Sequence, residues 1–389
     1  MSVTLGLERL FQDFPGSCSG ARVGIICNHA SVDRQYRHAV DLFADCSRFR
    51  LTTVFGPQHG ARGDKQDNMI ESDHYRDPQR DVPVYSLYGE HRKPTPEMLD
   101  SLDILFCDLT DVGARIYTFI YTMALAMEAC AERGKRFVVL DRPNPIGGTE
   151  VEGNVLDPAF RSFVGLFPIP MRHGMTIGEL ACLFNREFGI GAELEVVRAA
   201  GWQRDAWLSE TGVSWVMPSP NMPTLQTAAV YPGAVLVEGT HLSEGRGTTQ
   251  PFELIGAPYI DPYLLSRELN GHRLPGVHFR PCFFRPTFHK WAEELCGGVQ
   301  IHVTDRASFR PFLAGLAVLR EVLRLYPERF AWRKPPYEYE YEKMPIDILL
   351  GTDSLRRSLE AGEELRAMEE SWQADLGRFL EKRRRYLLY

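Results

Sequence analysis

Several familiar chemistries are missing from this 389-residue chain. Its eight cysteines, Cys18, Cys27, Cys46, Cys107, Cys130, Cys182, Cys282 and Cys296, include no CxxC pair. Zinc ribbons and dithiol redox centres are therefore excluded, and reduced, largely buried thiols are expected. No HExxH is present for a zinc hydrolase and no GxSxG for a serine hydrolase. The absence of GxGxxG after the first strand-like run, and of GxxxxGK[ST] anywhere, removes the usual nucleotide-phosphate cradles. Lys and Arg total 44 against 51 Asp and Glu, a formal charge of -7, with no basic stripe to follow a phosphate backbone. No segment nears the roughly 20 apolar residues of a membrane span, and the first residues lack a basic region followed by an apolar one. The expectation is a cytoplasmic protein that binds neither nucleic acid nor membrane and carries no cofactor or metal. What remains is carboxylate, histidine or substrate-assisted chemistry.

The first half alternates short β-rich runs, residues 22–27, 51–55, 103–108 and 136–141, with helical stretches at 38–45, 96–102 and 117–133. Continuous apolar runs of this kind suit parallel strands covered on both faces, which makes the fold class α/β with a Rossmann-like parallel sheet. After each strand comes a polar or Gly-rich loop: NHASVDR, GPQHGARGDKQDN, LTDVGAR and RPNPIGG. In an open parallel sheet these loops meet at one rim. Thr176 and Glu179 have capping-box spacing ahead of a helix to about residue 188, so Glu179 reads as structural. A Gly- and Pro-rich stretch follows, which places a domain boundary near residue 230. Residues 1–230 form the Rossmann-like unit, and 231–389 a smaller α+β unit with a strand at 298–303 and helices at 309–325 and 354–385.

Several loops are long enough to be recognised: FGPQHGARGD (55–64), PVYSLYG (83–89), DVGARIYT (111–118), VLDRPNPIGG (139–148), RHGMTIGEL (172–180), PSPNMPT (218–224), YPG (231–233) and EGTHLSEGRGTTQPFELIGAP (238–258). They resemble the NamZ family of exo-acting β-N-acetylmuramidases. That resemblance implies a Rossmann-like domain followed by a smaller one, with the active site between them. It also implies hydrolysis of a terminal β-linked N-acetylmuramic acid from peptidoglycan-derived fragments. One position departs from the family pattern. Where the family string is GPEHG, with its glutamate the leading catalytic carboxylate, this chain has Gln58.

A neutral amide cannot protonate a glycosidic oxygen. Three readings follow. Another carboxylate acts, with Glu71 nearest because it shares the Gln58 loop, and Asp111, Glu238 and Glu244 as the other loop carboxylates. Alternatively the substrate's own acetamido group is the nucleophile and Gln58 orients it. In the third reading the acid is lost, leaving a non-catalytic sugar-binding or regulatory protein, or a hydrolase of another amino sugar. His59, beside Gln58, is a candidate for proton transfer or for a sugar hydroxyl.

The lactyl carboxylate of muramic acid would suit a forked cation. Arg62, Arg115, Arg142, Arg172 and Arg246 lie in the family-like loops, and Arg62 and Arg246 are favoured by their glycine neighbours. Asn144 and Asn221, flanked by prolines, could present amides to the sugar, and His173 could face the cleft or fix a helix entry. Asp64, Asp67, Asp73 and His74 cluster without metal-ligand spacing. The expected partner is a small saccharide or muropeptide fragment, and the oligomeric state is left open.

Overall fold

The computed structural model describes residues 2–13, 16–66 and 69–389. Its larger sheet is built from β1 (Arg22–Cys27), β2 (Arg50–Gly56), β3 (Tyr75–Arg76), β4 (Pro83–Ser86), β5 (Ile104–Asp108) and β6 (Arg136–Leu140). Beyond a hairpin of β7 (Glu152–Val155) and β8 (Pro170–Arg172), β9 (Glu193–Val197) completes it. The spatial order is β3-β4-β2-β1-β5-β6-β9, parallel throughout except for β3, which runs antiparallel along the β4 edge. Leaving out β3, the parallel strands follow the doubly wound order 3-2-1-4-5-6. The fold is thus α/β with a large parallel sheet and a separate small one. The apolar runs of β1, β5 and β6 are buried nearly end to end, with helices on both faces.

The chain leaves β1 and β5 in opposite directions, so a crevice opens at their carboxyl ends. An ion pair closes its floor. Arg142, from the loop after β6, grips Asp108 at the end of β5 through Nε to Oδ1 at 2.6 Å and Nη2 to Oδ2 at 2.8 Å. The helix Phe119–Arg133 begins at this rim and ends at Gly134, whose φ of 59° supplies a left-handed cap. Thr176 and Glu179 form a reciprocal capping box on the helix Ile177–Glu187, as their spacing requires.

The second half carries an antiparallel sheet, β10 (Leu254–Ala257), β11 (Val277–Phe284) and β12 (Cys296–Val303), in the order β10-β12-β11. Its core is continuous with that of the first half. The stretch read from sequence as irregular contains a helix, Leu225–Ala234, that includes Pro232. Its purpose is a helix crossing. A Cβ on Gly233 would lie 1.8 Å from the Pro311 carbonyl oxygen, and one on Gly315 only 2.4 Å from that of Gly233. Only glycine allows this approach to the helix Pro311–Leu325.

Two buried charged groups tie the halves together. Glu152 on β7 accepts the amides of Phe312 (3.1 Å) and Leu313 (2.9 Å), capping Pro311–Leu325. Burial pushes its carboxyl up to about 7. Arg115 donates to the carbonyls of Asn154 (2.9 Å), Ile169 (3.2 Å), Leu349 (3.0 Å) and Leu350 (2.8 Å). The single helix expected over 354–385 is two, Ser354–Glu360 and Leu365–Arg383, parted at Gly362, where φ is 71°. All eight cysteines are free. Among the described residues no helix is long and apolar enough to cross a membrane.

Candidate active site

A cleft opens where the loops after β2 and β5 meet the second half. Gln58 and His59 contribute from the loop after β2, and Tyr117 and Thr118 from the loop after β5. Ser219 and Asn221 enter from the proline-flanked segment. The opposing wall is Tyr231, Glu238, Arg246 and Phe252, closed by Tyr337 and Glu338. His59 has a left-handed φ of 69° and fixes the Gln58 loop by donating from Nδ1 to the Lys65 carbonyl at 2.6 Å. Tyr231 and Phe252 meet edge to face at 4.8 Å, an apolar surface among the polar groups.

Gln58 is the centre of a buried relay. Thr118 donates its hydroxyl to Gln58 Oε1 at 2.6 Å, which orients the amide. Gln58 Nε2 then donates to Glu338 Oε1 and to the Tyr88 hydroxyl, each at 3.2 Å. Tyr88 also receives the Met69 amide at 2.9 Å, so its own proton goes to Glu338 Oε2 at 2.8 Å. Both oxygens of Glu338 are held, and its protonation sets the chemistry of the cleft. Burial is the main cause raising its carboxyl to about 7, and the negative charge of Glu238 adds to it. Hydrogen bonds from Tyr88 and Gln58 and the charge of Arg92 pull the other way. Glu338 therefore carries a proton at neutral pH in an appreciable fraction of molecules, as a general acid requires.

A second carboxylate faces the same cleft. Glu238 accepts from Arg246 Nη2 at 2.6 Å and from the Tyr337 hydroxyl at 2.5 Å. Behind it Glu244 is fully enclosed by Lys290 (2.8 Å), His289 (3.2 Å) and Arg246 (3.4 Å). Burial opposes its ionisation, yet the charge of Lys290, the hydrogen bond with His289 and the charge of Arg246 hold it below the ordinary carboxylate range.

Of the residues singled out from sequence, Gln58, His59, Asn221, Glu238 and Arg246 line this cleft. Asn221 is steadied by donating to the Gln66 carbonyl at 2.7 Å. The others lie elsewhere. Glu71 is exposed and receives the Tyr339 hydroxyl at 3.1 Å. Asp111 and His173 form a buried pair at 3.2 Å. His173 Nδ1 accepts the Met175 amide at 3.2 Å, so its proton sits on Nε2 towards Asp111. Asn144 spans a turn, donating to the Met175 carbonyl at 2.9 Å and accepting the Ile146 amide at 3.1 Å.

Among the arginines, Arg172 donates to the Ile146 carbonyl at 2.8 Å, and Arg62 lies over the Tyr75 ring at 4.5 Å in a separate surface groove. Arg115 and Arg142 are engaged as described above. Of the acidic cluster, His74 Nδ1 accepts the Ser86 amide at 3.0 Å, while Asp67 lies outside the described residues.

Sequence reasoning missed Glu338. The available signal was the Tyr337–Tyr341 run YEYEY, in which the acid lies between two aromatic residues, Tyr337 buried and Tyr339 half-buried.

A doubly wound α/β unit joined to a smaller α+β unit, with two unlike carboxyl groups lining one cleft, suits a hydrolase that works by carboxyl acid–base chemistry. The chain belongs to the NamZ family: the model for the N-terminal part of the exo-β-N-acetylmuramidase NamZ matches residues 23–226, and that for the C-terminal part matches residues 229–389. It is 47% identical over 387 residues to the peptidoglycan β-N-acetylmuramidase NamZ of Bacillus subtilis strain 168, covering 100% of this chain and 91% of that protein. Two crystal structures of DUF1343 family proteins from Bacteroides fragilis NCTC 9343 are similar over 100% of this chain and 99% of each of theirs. One superposes with a TM-score of 0.90 at 35% identity, the other with 0.78 at 28%.

Proposed function

We propose that the protein is an exo-β-N-acetylmuramidase that releases terminal N-acetylmuramic acid from peptidoglycan-derived fragments, with Glu338 as its general acid. The observation that carries the reading is the raised carboxyl of Glu338, held at both oxygens beside Gln58, in a cleft walled by loops of both halves. Gln58 lacks the acidity to act itself. Its amide instead orients the acid, so substitution at this position does not by itself remove glycosidase chemistry.

Glu338 delivers its proton to the glycosidic oxygen as the C1–O bond breaks, and the aglycone leaves as an alcohol. Positive charge grows at the anomeric carbon. Glu238, fixed by Arg246 and Tyr337, is the anion that balances it, and the Tyr337–Glu238 pair also suits the N–H of the sugar's acetamido group. Water then adds to C1, and its surplus proton restores Glu338. A pocket that binds sugar without cleaving it is the reading Gln58 alone would favour; Glu338 is the reason to set it second.

The test is chromatography of products from a β-1,4-linked N-acetylmuramoyl-N-acetylglucosamine disaccharide. Release of both monosaccharides is expected. Intact disaccharide after prolonged incubation, with binding still measurable, refutes the hydrolase assignment in favour of a binding protein.

A further inference from the structure

The cations in and behind the walls of the cleft are unequal. Arg246 is balanced by Glu238 and Glu244, and Lys290 by Glu244, so neither has charge to spare for an anionic ligand. Arg92 differs. Its guanidinium lies 4.3 Å from the Phe163 ring centroid and 4.4 Å from that of Tyr339, stacked between the two. No carboxylate pairs with it among the described residues. The backbone on either side is anchored, since Tyr88 is tied into the Glu338 relay and Lys93 pairs with Glu132 at 2.6 Å.

The clamping rings also locate it. Phe163 adjoins Val164 and Tyr339 adjoins Glu338, both residues of the cleft wall. Arg92 is near enough for its charge to act on Glu338, and it remains half-buried. Aromatic faces leave a guanidinium's N–H edge available while restricting its rotation, which pre-organises the fork for a planar anion. Phe163 and Tyr339 would accommodate a lysine's charge, but not its lack of a fork.

We infer that Arg92 is the carboxylate receptor of this cleft, binding the lactyl carboxylate that distinguishes an N-acetylmuramoyl residue from an N-acetylglucosaminyl one. The inference rests on the proposed substrate class. It makes Arg92 the residue that selects the sugar, while Glu338 cleaves it. A bidentate, charge-assisted contact at a half-buried site is worth about 10- to 100-fold in affinity.

Calorimetric titration tests this without turnover, using N-acetylmuramic acid, its lactyl methyl ester and N-acetylglucosamine as probes against wild type, Arg92→Gln and Arg92→Lys. Wild type should bind the acid about 10- to 100-fold more tightly than the ester. Arg92→Gln should bind acid and ester alike, with unchanged affinity for N-acetylglucosamine, and Arg92→Lys should keep part of the preference. A wild type that does not prefer the acid overturns the inference, as does an Arg92→Gln variant that keeps the full preference. Should Arg92→Gln not fold, the wild-type and Arg92→Lys ratios decide. Disaccharide hydrolysis is scored separately, so failure of the hydrolase reading appears as absent turnover with the acid-to-ester ratio intact.

Discussion

Replacing Glu338 by glutamine should inactivate the enzyme and, above neutral pH, stabilise it. Folding raises this carboxyl from 4.5 to about 7. At roughly 1.4 kcal/mol per pH unit, the charged form costs the native state about 3 kcal/mol. The sign follows from proton linkage. Between these values the native protein holds more protons than the unfolded chain, so stability is greatest below pH 4.5 and falls as pH rises towards 7. An amide never ionises and escapes that loss. It also sets its own NH₂ against a donor, either Gln58 Nε2 or the Tyr88 hydroxyl, at a cost of about 1 kcal/mol.

The variant should therefore be about 1 kcal/mol less stable than wild type at pH 4 and about 2 kcal/mol more stable at pH 8.5, measured by urea denaturation. Its kcat/KM on the disaccharide should fall by about 10²- to 10⁴-fold. An aryl N-acetylmuramide whose leaving group needs little protonation should suffer much less. Equal losses on both substrates, or undiminished disaccharide hydrolysis, would remove Glu338 from the acid's role. A stability difference that does not change with pH would refute the account of its ionisation.

Other expectations can be checked with the same assays. Gln58→Glu places a second carboxyl next to Glu338 and removes an N–H donor, so the pair should share a proton and the basic limb of the pH profile of kcat/KM should move up by at least about one unit. Glu71→Gln, at an exposed site outside the cleft, should change kcat/KM on the disaccharide less than about threefold; a loss of about 10²-fold would make Glu71 the acid. Arg115→Met removes a donor from four carbonyls, of which those of Ile169 and Leu350 keep another, from Leu156 and Asn154; it should lower unfolding free energy by about 2 to 4 kcal/mol, read as a reduced urea midpoint, with kcat little altered while the protein is folded.

The parallel sheet was readable wherever local composition and burial agree. β1, β2, β5 and β6 lie in the middle of the sheet, and their runs are apolar because strands pair along both their edges and helices pack on the faces of the sheet. Edge elements carried a weaker signal: PVYS in β4 is four residues long, and ELEVV in β9 is only partly buried. The helix Leu225–Ala234 was hidden because Pro232 and Gly233 are locally helix-breaking, and their justification lies in Pro311 and Gly315, distant in sequence. At the site, the loop carrying Gln58 stood out by its motif. Glu338 did not, since its acidity depends on Gln58 and Tyr88, 280 and 250 residues away, and no local pattern encodes that burial.

That long reach has a bearing on modularity. The acid belongs to the half matched by residues 229–389, whereas the amide and phenol that hold its two oxygens belong to the half matched by residues 23–226. The seam between the halves is thus a poor place for recombination within the family. A chimera joining this C-terminal half to an N-terminal half with glutamate in the Gln58 position would inherit a carboxyl pair where this chain has an acid and an amide, and with it a different working pH.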